Sequence, residues 1–148
     1  MVEKISEAVF EGTGSYPFVV NAAEGSAAEQ SREMTGGAGA NVVFECVGTE
    51  DAMREASGAL GRCGRLIFIG YSPYSLTVHP IQLVVFELKA MDPVGATLND
   101  LHEAADLVER NVVRTFVDQT LPLEQLESGL NALERGELVG RAVLVPGA

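Results

Sequence analysis

Short runs of consecutive apolar residues alternate along the chain with stretches in which apolar residues recur every three or four positions. Residues 41–47 form the first such run, and the second, residues 65–70, lacks the polar alternation of a half-exposed strand. This is typical of strands that are covered on both faces in a parallel sheet. Shorter runs at residues 88–91 and 141–145 predict two further strands, of which the first is limited by Pro93. Alternating strands and helices of this kind predict an α/β fold.

The segments between the strands carry helix signals. Thr49 is a suitable N-cap for a helix whose residues Met53, Ala56 and Leu60 share one face, and Glu50 adds negative charge to its first turn. Four more segments carry a capping residue or a starting proline, and the last two of them also have a helical apolar stripe. They begin at Ser26 (ending at Met34), at Pro80, after Thr97 or Asn99, and at Pro122 (ending near Gly136).

The first forty residues have a less regular pattern. Residues 2–9 place apolar side chains on one helical face, and residues 18–20 predict a short strand. Residues 12–17 contain the first two glycines of a dinucleotide-binding turn, but Pro17 stands where the third glycine belongs. Because no helix pattern follows, this stretch does not predict a phosphate-binding loop.

Composition and charge narrow the classes of function. With 148 residues, 47% of them hydrophobic, the chain is long enough for a globular domain with its own core. The formal net charge of −11 opposes binding to nucleic acid and to anionic membrane surfaces. No apolar run approaches the roughly 20 residues that span a bilayer, and the N-terminus lacks the basic start of a signal peptide. We therefore expect a cytoplasmic protein.

Cysteines, histidines and serines do not predict a metal or catalytic centre. Cys46 and Cys63 match no zinc-binding spacing and cannot build a disulfide framework, so we expect both to be buried or half-buried small apolar residues. His79 and His102 have no neighbours at metal-ligand spacing. The serines lack a nucleophile elbow. The sequence therefore predicts no catalytic residue.

Several segments resemble, in order and spacing, the C-terminal Rossmann portion of the medium-chain, zinc-type alcohol dehydrogenase superfamily. They match the approach to the family's fourth strand, its fifth strand, the loop after its sixth strand, and its terminal helix and strand. These segments are residues 35–48, 61–70, 94–97, 121–124 and 140–144. On this basis, residues 1–17 form a segment outside the family pattern, and residues 18–148 form a truncated Rossmann-like nucleotide-binding domain.

The resemblance implies an incomplete doubly wound parallel sheet, with a dinucleotide lying across the strand ends. It implies NAD or NADP as the cofactor and no zinc in this portion of the family. It places residues beside the adenosine, the nicotinamide, the carboxamide and the pyrophosphate. Cys46, Val47 and Gly48 are placed beside the adenosine, and Ile69, Gly70 and Tyr71 beside the nicotinamide. Val94 and Gly95 are placed beside the carboxamide. Arg141, whose guanidinium suits phosphate oxygens, is placed beside the pyrophosphate.

Some parts of the family's machinery are not matched. In the family, the catalytic domain, the G-x-G-x-x-G turn and the acidic residue that binds the ribose precede the matched region. Asp92 and Pro93 stand where dehydrogenases commonly have glycine and a small residue, and we expect them to impair contact with nicotinamide. Three hypotheses follow: a fragment or remnant that is not catalytically competent alone, a subunit complemented by a separate catalytic chain, or a repurposed nucleotide-binding, ligand-binding or dimeric module.

The missing strands also change the predicted topology. In the family's strand order, 3-2-1-4-5-6, strands two and one separate strand three from strand four. Residues 18–21 must therefore be detached or pair directly with residues 41–47, giving a compacted 3-4-5-6 order. Otherwise a partner is expected to cover the open edge of residues 41–47. At the other edge, residues 88–91 are expected to pair across a two-fold axis and form a homodimer.

Overall fold

The computed structural model describes residues 18–22, 24–93 and 95–147. The predicted helical face at residues 2–9 and the glycines of residues 12–17 lie outside the described residues. Two compact units are present: Val20–Gly95 forms one, and the described residues from Ala96 onward belong to the other. Each unit is an α/β structure with parallel strands and flanking helices, which confirms the predicted fold class.

The first unit contains a three-stranded parallel sheet in the order β1-β2-β3. In this register Phe44 lies opposite Ile67, and Ile67 lies opposite Met91. The elements are α1 (Ala27–Met34), β1 (Ala40–Glu45), α2 (Glu50–Ala59), β2 (Leu60–Phe68), α3 (Pro80–Phe86) and β3 (Lys89–Met91).

The second unit contains a two-stranded parallel sheet, β4-β5, in which Leu121 lies opposite Leu144. Its elements are α4 (Leu98–Glu109), β4 (Val117–Pro122), a 3-10 turn (Leu123–Gln125), α5 (Leu126–Glu134) and β5 (Arg141–Val145). The longest described helix, α4, has 12 residues, and none of the described helices has the length and apolar character of a membrane span.

The helices begin at the predicted capping residues. The hydroxyl of Ser26 accepts the N–H of Glu29, and that of Thr49 accepts the N–H of Ala52. Thr97, rather than Asn99, caps α4, and it does so in a reciprocal capping box with Asp100. Each cap satisfies backbone donors that the first helical turn leaves without a partner.

The compacted strand order is not formed. Residues 18–21 are not a strand, and β1 pairs with β2 on one side only within the described part of the chain. A turn follows immediately, in which the N–H of Glu24 donates to the carbonyl of Asn21 at 3.0 Å. Phe18 and Val19 are 65% and 52% exposed.

The helix predicted from Pro122 begins there as a 3-10 turn that leads directly into α5, but strand β4 was not predicted. Pro122 is the last residue of β4 and the N-cap of the 3-10 turn, and α5 begins four residues later at Leu126. Proline is compatible with this position because its fixed φ suits the start of a helical turn and it ends a strand that needs no further N–H donor. Because β4 contains several polar residues, it has no apolar run from which a strand could be predicted.

The cysteine prediction was also wrong. Cys46 and Cys63 are both exposed free thiols. Cys46 follows β1 at the carboxyl edge of the sheet, and Cys63 has a φ of +60° within β2. The core of the described residues is small and consists of other side chains. These are Met53, Ala59, Leu60, Leu66 and Ala132.

Glu55 connects α2 to the start of α1. Its Oε2 accepts the Ser26 hydroxyl at 2.7 Å and the N–H of Ala28 at 3.0 Å. The Ala28 N–H, and then the Ser26 hydroxyl, hold the pKa of Glu55 below its ordinary value of 4.5. A carboxyl group whose pKa is lowered by folding stabilises the protein above its unfolded-state pKa, and this contribution is lost as the pH falls through the folded-state value.

We predict that Glu55→Gln lowers the free energy of unfolding by about 1 kcal/mol at pH 7, since charged acceptors make the stronger hydrogen bonds. The difference between wild type and variant should shrink as the pH falls through the lowered folded-state pKa of Glu55, where the wild-type carboxylate also gains a proton. Urea unfolding at pH 7 and pH 3 measures both values. The exposed Glu124→Gln serves as the control, and an unchanged Glu55→Gln effect at pH 3 would contradict this role.

Candidate functional site

A cleft lies at the carboxyl ends of the three parallel strands of the first unit. Its volume is about 980 Å³, and it is bounded by the segments that follow β1, β2 and β3. The segment after each strand contributes one glycine to the lining: Gly48, Gly70 and Gly95. The carboxyl ends of neighbouring parallel strands meet at one edge of the sheet, which is where open α/β sheets bind ligands.

Gly70 allows the first two loops to approach each other closely. A Cβ atom at this position would lie 2.6 Å from the carbonyl carbon of Cys46 and from the backbone nitrogen of Val47. A Cβ at Gly48, whose φ is +78°, would lie 3.1 Å from the backbone of Tyr71. Larger residues would push the two backbones apart, so these glycines determine the shape of the cleft between β1 and β2.

A buried carboxylate positions the first loop. Glu45 is the last residue of β1 and is 2% exposed. Its Oε1 accepts the N–H groups of Val47 at 2.8 Å and Gly48 at 2.9 Å, while its backbone carbonyl accepts the N–H groups of Ile69 and Gly70. One residue therefore connects the loops after β1 and β2. Glu45 was not among the predicted site residues, although a single acid within the apolar run 41–47 was the available signal.

Ser72 makes a second connection between these loops. Its hydroxyl donates to the carbonyl of Gly48, and its oxygen accepts the N–H of Tyr74 at 3.3 Å. Since Gly48 is held from both its N–H and its carbonyl, the backbone at this edge of the cleft is fixed before any ligand binds.

The walls of the cleft are mainly apolar and aromatic. Met53 is buried, Ile69 is 50% exposed and Tyr71 is 97% exposed. Asp92 is the one charged residue among the described lining residues, and no lysine or arginine lies there. The described lining therefore suits a flat, uncharged or cationic heterocycle and offers no countercharge to a phosphate.

The structure brings together five of the predicted site residues. Gly48, Ile69, Gly70, Tyr71 and Gly95 line the cleft. Cys46 and Val47 instead line a separate groove of about 790 Å³ between β1, α1 and α2. Val94 lies outside the described residues. Arg141 is the first residue of β5 in the second unit, and its backbone N–H donates to the carbonyl of Phe116.

The described residues contain no cluster of three or more histidine, cysteine, aspartate or glutamate side chains that is arranged to hold a metal ion. His79 caps α3 without a side-chain hydrogen bond to the helix, and His102 lies on the exposed surface of α4.

A parallel α/β unit with flanking helices, together with the likeness to dehydrogenase structures, places the chain in the Rossmann-like fold class. The chain belongs to the zinc-binding dehydrogenase family, because the sequence profile of that family matches residues 16–144. This confirms the resemblance found in the sequence.

Known relatives support the same assignment. The chain is 26% identical over 129 residues to an NAD-dependent alcohol dehydrogenase of Sulfurisphaera tokodaii, covering 87% of this chain and 37% of that protein. It is 25% identical to a D-arabinose 1-dehydrogenase (NADP(+)) of Saccharolobus solfataricus, and the match covers 77% of this chain and 32% of that protein. The crystal structure of an alcohol dehydrogenase from Aeropyrum pernix superimposes on this chain with a TM-score of 0.86 at 33% identity. The match covers 99% of this chain and 41% of that one. The chain thus spans about a third of the length of its curated relatives.

Proposed function

We propose that this chain is the cofactor-side portion of an alcohol dehydrogenase-like oxidoreductase and that the cleft receives the nicotinamide end of NAD or NADP. The observation that carries the proposal is the meeting of three glycine-containing loops at the carboxyl ends of three adjacent parallel strands. Family membership supports an oxidoreductase. The named relatives use either cofactor, so both NAD and NADP are candidates.

The lining residues fit the nicotinamide better than the pyrophosphate. Ile69 and Tyr71 offer apolar contact to a flat ring, and the backbone held by Glu45 and Ser72 offers polar groups at a fixed edge. The nicotinamide, when bound, supplies hydride chemistry. The protein's part is to orient the ring and exclude water from one of its faces. We assign the predicted pyrophosphate contact to Arg141 as a proposal.

Calorimetric titration of the 148-residue chain with NADH and with NADPH tests this proposal. We expect saturable binding to at least one of them, accompanied by protection from thermal unfolding, because a ligand that binds only the folded state stabilises it. Absence of both heat and thermal shift at millimolar cofactor would contradict it.

Asp92 provides a site-specific prediction. Its carboxylate lines the cleft and should repel the anionic reduced cofactor while attracting the cationic ring of the oxidised one. We expect Asp92→Asn to tighten NADH binding by about threefold to tenfold, corresponding to roughly 1 kcal/mol, and to weaken NAD+ binding relative to NADH binding, because the attraction to the cationic ring is lost. Asp118→Asn, which makes the same charge change in the second unit, is the control. Equal effects of the two substitutions would place the cofactor outside this cleft.

We further propose that the chain does not turn over substrate alone and that a catalytic portion, from a longer or a separate chain, completes the site. The open edge of β1 favours the complementing chain, since Phe44 and the adjoining Val47 remain 65% and 67% exposed. A repurposed dimeric module is the alternative, and it is favoured by the exposed edge strand β3 (Lys89–Met91). Sedimentation of the isolated chain separates them: a stable dimer supports pairing through β3, and a monomer contradicts it.

A further inference from the structure

A second pocket in the first unit lies away from the cleft, where α1, α2 and α3 converge near the start of β2. Its volume is about 310 Å³, at the lower end of the roughly 300–1,000 Å³ typical of small-molecule sites. Six polar or charged side chains contribute to its lining. These are Arg32, Arg54, Ser57, Thr77, His79 and Gln82.

The charge of this pocket is opposite to that of the whole chain. The sequence has 10 lysines and arginines against 21 aspartates and glutamates, yet two arginines line the pocket and no carboxylate belongs to its described lining. A local concentration of cationic groups on an acidic protein attracts small anions without attracting polyanions, which the net charge of −11 repels.

Arg32 is the best-fixed cation of this pocket. Its Nε donates to the carbonyl of Gly58 at 2.9 Å, and its Nη2 donates to the carbonyl of Leu60 at 2.7 Å. Carbonyls orient the guanidinium without neutralising it, and Arg32 forms no ion pair with any carboxylate that the structure describes. Its Nη1 makes neither of these bonds and remains a donor for a ligand.

The other donors come from different elements, which suits an anion with several oxygens. Arg54 uses Nη1 for its ion pair with Asp51 at 2.7 Å, so its other nitrogens are the ones that a ligand would meet. Ser57 and Thr77 add hydroxyls, and Gln82 adds an amide. A phosphate group accepts hydrogen bonds from guanidinium and hydroxyl donors on several sides.

We propose that this pocket binds a small phosphate, either the free anion or a phosphate monoester. Apolar lining residues such as Leu60 and Phe86 give the organic part of an ester a contact surface. The site lies at the start of β2, whereas the cleft lies at the carboxyl ends of the strands. It is therefore independent of the proposed nicotinamide site.

Two-dimensional 1H–15N NMR of the 148-residue chain, titrated with inorganic phosphate and then with butyl phosphate against sodium chloride at matched ionic strength, tests this proposal. We expect saturable shifts at the Arg32 Nε–H and at the amides of Ser57, Thr77 and Gln82. Tighter binding of butyl phosphate would identify a monoester as the preferred ligand, and equal binding would identify the free anion. Shifts that do not saturate, or that chloride reproduces, would overturn the proposal.

Two variants of equal charge change locate the binding. Gln82→Glu introduces a carboxylate at an exposed lining position and is expected to weaken phosphate binding by about tenfold or more. Arg62→Gln removes a cation outside the lining, where Arg62 pairs with Glu87, and is expected to leave binding within about twofold. The amide spectra of both variants report whether the fold is retained. Equal losses in the two variants would show only a general charge effect and would overturn the site.

Discussion

Replacing Gly70 by alanine is expected to lower the free energy of unfolding by about 2–3 kcal/mol. The added Cβ would lie 2.6 Å from backbone atoms of Cys46 and Val47 and 2.7 Å from the backbone nitrogen of Gly48. A flexible side chain could relieve such a clash by changing its rotamer, but these atoms belong to the backbone. The loops after β1 and β2 must therefore move apart. The same displacement should weaken cofactor binding, because it opens the cleft between them.

Gly95→Ala is the matched control within the same cleft. No heavy atom lies within 4 Å of a Cβ at Gly95, but its φ is +68°, so the expected cost is about 1 kcal/mol from backbone strain alone. Urea unfolding of both variants gives the comparison, and titration with NADH or NADPH gives the second readout. If Gly70→Ala is as stable as Gly95→Ala, the close approach of the two loops does not contribute to the fold.

Replacing Glu45 by alanine is expected to cost about 2–4 kcal/mol, because it removes a buried charged acceptor and leaves a small cavity. The N–H groups of Val47 and Gly48 lose their partner, and the loop after β1 loses the contact that holds it toward β2. Cofactor affinity should fall with stability, since this loop forms one edge of the cleft.

Glu45→Gln distinguishes the hydrogen bonds from the charge. The one oxygen of the glutamine side chain can still accept the N–H groups of Val47 and Gly48. The amide nitrogen, however, would replace Oε2, which lies 3.1 Å from the Gly48 nitrogen in the wild type, so two N–H donors would face each other. We expect about half of the loss caused by alanine, measured by urea unfolding with the exposed Glu124→Ala as the control. A glutamine variant as unstable as the alanine variant would show that the charge, rather than the acceptor, holds the loop.

Local sequence predicted the helices and most strands of this chain. Ser26, Thr49 and Thr97 begin helices because a side-chain oxygen satisfies backbone donors within three residues. The apolar runs at residues 41–47 and 65–70 predicted strands of a parallel sheet. Both strands are present, although their bounds are Ala40–Glu45 and Leu60–Phe68. These properties depend on neighbours in the chain.

The topology and the site depended on residues far apart in sequence. Residues 18–21 had the pattern of a strand but found no partner strand, and β4 had too little apolar character to be recognised although it pairs with β5. Strand formation requires hydrogen bonds to a second segment, so a pattern within one segment does not decide it.

The sequence by itself determined the α/β class, the helix starts and the family, because all three follow from short-range patterns and their order along the chain. Only the tertiary structure decided that Glu45 faces inward to hold two loops, that Cys46 and Cys63 are exposed, and that Arg32 and Arg54 line one pocket. The physical reason is that burial and charge proximity are properties of packed elements. A charged residue in an apolar run has the same sequence signal whether it meets solvent or two backbone N–H groups, and only folding distinguishes the two.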